Sequence, residues 1–135
     1  MIPLLHDAAA AGSPRLVEES EVDDMIVART SMCPHPGKTV CIRVSGDSMS
    51  PILENGYIVA IDTAETDHRR LYNHMVAARD PEGGVTIKWF RNHGGEEMLI
   101  PQHTSTRYPP VLIGRDQWKI IGKVLWWIGM PPPAR

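Results

Sequence analysis

A serine in a turn and a lysine inside a strand are the two side chains of this 135-residue chain whose settings suit covalent chemistry. Ser48 lies in Val44-Ser45-Gly46-Asp47-Ser48-Met49-Ser50-Pro51-Ile52-Leu53, between two β-branched runs at 39–44 and 57–61 that read as strands. Gly46 admits backbone angles closed to other residues, and Pro51 suits the first turn of a helix. Ser48 is therefore expected where a strand breaks into a short helical turn. A hydroxyl there stands proud of the sheet, and the amides of Asp47, Ser48 and Met49 are free to cradle an oxyanion. Serine is also a common helix N-cap, so local pattern leaves both a nucleophile and a cap open.

Lys88 sits in Val85-Thr86-Ile87-Lys88-Trp89-Phe90, where Val85, Ile87 and Trp89 face one way and Thr86, Lys88 and Phe90 the other. An exposed lysine has a pKa of about 10.4, so roughly one molecule in 2,500 is neutral at pH 7. Burial that lowers the pKa by about three units leaves roughly a quarter neutral, enough to take the proton of Ser48. The competing reading is a strand lysine that snorkels to water. Six histidines are available for a serine, histidine and acid triad. His6, His35, His68 and His93 fall in arm, loop and turn contexts, and only His74 and His103 lie close to strand ends.

The elements that must position these groups are mostly strands. Residues 1–14, with Pro3, Pro14 and a run of alanines, read as an extended or flexible arm, and 15–135 as one folded domain. The acidic stretch 15–24 reads as a solvated face or edge strand. Strands are expected at 25–28, 39–44, 57–63, 75–80, 85–91, 98–100 and 118–128. Pro81-Glu82-Gly83-Gly84 makes the fourth and fifth a hairpin. Residues 64–73 read as a polar connection and 102–110 as loop. No long 3.6-residue apolar period occurs, so the class is mainly β with one or two short helical turns.

Composition excludes several functions. The net charge is −2 and the 14 basic residues are scattered, so direct nucleic-acid binding by this chain is not expected. Nor do the 47 residues before Ser48 contain three amphipathic helices for a helix-turn-helix unit. The longest apolar run, 124–130, is far too short for a membrane span, and the amino end lacks the basic start of a signal peptide. Cys33 and Cys41 read as free thiols of a cytoplasmic protein. With His35 they lack a second ligand pair, so neither metal nor cofactor is expected.

The run SGDSMSPILENGYIVAID, followed after a hairpin by VTIKWF, resembles the self-cleaving serine/lysine peptidases of the LexA and UmuD type and the carboxyl-terminal domains of related phage repressors. Ala11-Gly12, 37 residues before Ser48, is similar to the Ala-Gly bond that those proteins cut in themselves. Leu99-Ile100-Pro101 and Ile121-Gly122-Lys123-Val124 resemble their later strands. The resemblance covers about residues 8–128. It implies a LexA/signal-peptidase-like β-fold of twisted antiparallel sheets, with Ser48 as nucleophile, Lys88 as general base and amides at Asp47 and Ser48 as oxyanion donors. It further implies cleavage of the protein's own arm at Ala11-Gly12 in a DNA-damage (SOS) response stimulated by a RecA-type filament, and a homodimer for which Trp126 and Trp127 are candidate contacts. LexA-type repressors carry an amino-terminal DNA-binding domain. The chain is accordingly expected to be UmuD-like, an accessory subunit of a damage-tolerant polymerase, or the catalytic part of a longer repressor. A module that keeps the fold for dimerisation without the chemistry is the alternative.

Overall fold

The computed structural model describes residues 1–6, 22–103 and 107–131. Their strands are β1 (Ile2–Leu5), β2 (Val22–Ile26), β3 (Thr39–Arg43), β4 (Ile58–Asp62), β5 (Met75–Arg79), β6 (Val85–His93), β7 (Glu96–Ile100), β8 (Val111–Leu112) and β9 (Lys119–Ile128). They form one sheet of nine strands in the order β2-β1-β3-β4-β9-β5-β6-β7-β8. The mainly β class follows from the β-branched runs, as expected. The strands make a single continuous sheet, and β1 runs parallel to β3 while every other neighbouring pair is antiparallel.

Side-chain alternation divides the interior between the two faces of the sheet. From β4, Val59 and Ile61 join a cluster with Ile42, Met49, Leu53 and Ile87, whereas Ala60 joins Ile2, Leu4, Cys33 and Cys41. From β5, Met75 and Ala77 enter the first cluster, and Val76 and Ala78 enter another built on Phe90, Leu71 and Leu99. On β6 the expected alternation holds, with Ile87 in the first cluster and Phe90 on the other side. The long apolar strand β9 is central, flanked by β4 and β5. Gly122 is needed there because a Cβ would meet the Asp62 carbonyl oxygen at 2.6 Å.

The amino end corrects the expectation of an arm. Residues 2–5 are a strand inside the sheet, with Ile2, Leu4 and Leu5 only 3%, 1% and 6% exposed. Pro3 and the brevity of the run hide this strand from local pattern, because its stability comes from distant partners. Pro3 has no N–H to donate, and the ladder from β1 to β3 is a single register pair, Leu4 with Cys41. The rest of the predicted arm lies outside the described residues. Residues 64–73 hold a helical turn, α1 (His68–Leu71), capped by Asp67, whose side chain accepts from the Arg69 amide. A second turn, α2 (Ile113–Asp116), follows β8. Both are too short to show a helical period in sequence. No helix among the described residues is long and apolar enough to cross a membrane.

Candidate active site

The segment between β3 and β4 folds as a closed loop. Val44 N–H donates to Tyr57 O at 2.7 Å and Gly56 N–H to Val44 O at 2.8 Å, which extends the β3–β4 ladder past the loop's base. Gly46 takes φ +84°, a left-handed angle natural to glycine, and its amide donates to Asn55 Oδ1 at 3.0 Å. The chain then makes a helical turn through Ser48. Ser50 N–H donates to Asp47 O and Leu53 N–H to Met49 O, both at 3.0 Å, and the Ser50-Pro51 peptide is cis. Met49 and Leu53, at 2% and 0% exposure, fasten the turn into the core. Gln102 N–H binds Ser48 O at 3.0 Å, so a second loop clasps the turn from outside.

This framework holds Ser48 beside β6. Lys88 Nζ donates to Ser48 Oγ at 2.8 Å, to Thr86 Oγ1 at 2.6 Å and to Ile87 O at 3.2 Å. Both Ser48 and Lys88 are buried. Burial disfavours the ammonium form and lowers the Lys88 pKa from 10.5 to about 8. Lys88 therefore does not snorkel to water. Among the described residues, Ser48 Oγ caps no backbone amide of the turn it opens, and none of the six histidines is bonded to it. His35 contacts Asp62 at 2.8 Å and His68 contacts Glu97 at 3.0 Å, while among the described residues His74 and His103 make no hydrogen bond to Ser48 Oγ.

A cleft opens beside the pair, lined by Ile42, Val44, Ser45 and Met49 on one side and by Val85, Thr86 and Ile87 on the other. Residues 85–88 of β6 pair with β5, but the partners from β7 begin only at Trp89. One edge of that stretch is thus unpaired among the described residues, next to Ser48. Asp47 accepts a 2.6 Å hydrogen bond from Tyr108. That bond foremost holds the Asp47 carboxyl below its ordinary range and raises the Tyr108 phenol. Ala11 and Gly12 lie outside the described residues.

Thr86, Gln102 and Tyr108 escaped the sequence reading. Thr86 alone carried a signal, since it stands two positions from Lys88 on the same strand face. Of the candidate metal set, Cys33 and Cys41 are buried free thiols. His35 turns instead toward Asp62 and Glu65, whose ligand-type atoms and its own lie within 4.8 Å of one another.

Residues 3–125 match the family described as Peptidase S24-like, and the chain belongs to that family. It is 30% identical over 127 residues to a LexA repressor of Arthrobacter sp. (strain FB24) and 32% identical over 127 residues to one of Pseudarthrobacter chlorophenolicus. Each match covers 93% of this chain and 46% of the relative. An HTH-type transcriptional regulator PrtR of Pseudomonas aeruginosa is 24% identical over 102 residues, covering 68% of this chain and 37% of the relative. The chain spans less than half the length of these relatives.

Proposed function

We propose that the chain is a self-cleaving serine peptidase domain in which Ser48 is the nucleophile and Lys88 the general base. The observation that carries this reading is the buried 2.8 Å hydrogen bond between Lys88 Nζ and Ser48 Oγ. Neutral Lys88 removes the Ser48 proton as Oγ adds to the Ala11 carbonyl carbon. The oxyanion takes hydrogen bonds from the Asp47 and Ser48 amides. Collapse breaks the Ala11-Gly12 bond, the Lys88 ammonium returns its proton to the Gly12 amine, and water then hydrolyses the Ala11 ester. The open edge of residues 85–88 offers an extended peptide a strand to pair with, which suits a substrate drawn from the chain itself. A tethered substrate needs little further binding energy.

The relatives' printed names, LexA repressor and HTH-type transcriptional regulator, favour a repressor's peptidase domain over a polymerase subunit. In this reading a RecA-type filament stimulates cutting during a DNA-damage response by binding the docked form of the segment around Ala11 more tightly than the undocked form. The domain acts as a cytoplasmic homodimer, with Trp127, 41% exposed on β9, at the contact. Trp126 serves the core instead, donating to Met32 O at 3.1 Å.

Intact mass of the purified chain, followed over time at alkaline pH, tests the chemistry. Loss of residues 1–11 in the parent and its absence in both Ser48→Ala and Lys88→Ala are expected. A parent that stays whole would favour a dimerisation module without chemistry. A Lys88→Ala variant that cuts normally would remove Lys88 as base.

A further inference from the structure

Strand β1 lies between β2 and β3, and among the described residues β2 has no other strand neighbour. Leu4 stands opposite Cys41, which is fully buried, and the two share a cluster with Ile2, Cys33 and Ala60. Ile26 and Trp126 pack against that cluster from its rim. The Ala11-Gly12 bond falls in the connection between β1 and β2. We propose that cutting this connection makes β1 a releasable strand: it leaves the sheet with the segment that ends at Ala11, and the slot it vacates, floored by Cys41 and Ala60, is a groove specific for that same extended strand. The inference rests on Ala11-Gly12 as the bond cut.

The energetics turn on the tether. While the chain is whole, β1 is presented to its slot at an effective concentration of about millimolar, so even a weak strand stays docked. After the cut the same contact is bimolecular. What then holds the peptide is a strand of four residues, three apolar side chains, four register pairs with β2 and a single one with β3. An extended segment that pairs with β2 and sets Ile2 and Leu4 into the cluster regains affinity by adding a strand to the sheet. The Ser48 turn is fastened by Met49 and Leu53 in a different cluster, so release of β1 leaves its anchors in place. Cys41 is the reporter, because Leu4 is its direct neighbour across the ladder.

The test uses the full chain carrying Ser48→Ala and a recognition sequence for an added protease inserted between Ala11 and Gly12. The cut is then made from outside, and a failure of self-cleavage is read separately in the parent. Before cutting, a thiol reagent should leave Cys41 unreacted, with Cys41→Ser assigning the signal. After cutting at about 1 µM, far below the tether's effective concentration, residues 1–11 should separate on gel filtration and Cys41 should react at least about tenfold faster. Synthetic peptide 1–11 should restore protection, and the same peptide with Leu4→Asp should not. Co-elution of the peptide with Cys41 still protected would overturn the proposal. So would a cut protein that runs as a dimer with Cys41 protected, which would place a second copy in the slot. Protection by the Leu4→Asp peptide, or none by the native one, would likewise overturn it.

Discussion

Thr86 Oγ1 accepts a 2.6 Å hydrogen bond from Lys88 Nζ, two positions along the same strand face. The hydroxyl fixes the direction of the lysine's end group toward Ser48, and as an acceptor it favours the charged form. Thr86→Val keeps the β-branched shape and removes that acceptor. We expect the pH midpoint of self-cleavage to move down while the plateau rate falls about tenfold through looser positioning. A packing role alone would leave the midpoint unmoved.

The pH profile of the parent follows from Lys88. Burial brings its pKa to about 8, so roughly a tenth is neutral at pH 7 and roughly nine-tenths at pH 9. First-order cutting should rise through a midpoint near pH 8 and level off above pH 9, with a rate constant independent of protein concentration when the segment is cut within its own chain. A flat profile over this range would exclude a lysine base. A rate constant proportional to concentration would show cutting between chains.

The same shift makes a stability prediction of opposite sense to function. Below pH 8 both the folded and unfolded chains carry the Lys88 charge, and the folded state bears the whole penalty of burying it. Above 10.5, the unshifted value, neither carries it. The penalty is about 3 kcal/mol at neutral pH and disappears as pH rises between those values. Lys88→Met should therefore unfold at a higher temperature than the parent at pH 7, and the gain should shrink toward pH 10. Equal pH dependence in the two proteins would show that Lys88 carries no such penalty.

Gly12→Val probes the bond. A branched side chain next to the attacked carbonyl of Ala11 crowds Ser48, and cutting should slow by ~100-fold or more. The product's first residue, read by mass, should be Gly12 in the parent. An unchanged rate, or a product beginning elsewhere, would move the site.

Much of the fold was legible because β-branched runs, glycine turns and period-two alternation are local signals. The Pro81–Gly84 turn, the Gly46 angle and the two faces of β6 follow from them directly. What escaped was β1, α1, α2 and the two-residue β8: each is four residues or fewer and held by partners far away in the chain, as Leu4 is by Cys41 and Leu71 by Phe90.

For the site, the amino-acid sequence by itself determined the strand-to-turn seat of Ser48, the strand position of Lys88 and the family to which they belong. Which of two meanings each residue takes was left open there, cap or nucleophile, snorkelling or buried. Tertiary structure decided that Lys88 is buried and that its Nζ meets Ser48 Oγ, because hydrogen-bond partner and burial are properties of segments that meet 40 residues apart. The turn carrying Met49 and Leu53 packs in one cluster with Ile87 of β6, and burial where these segments meet lowers the Lys88 pKa.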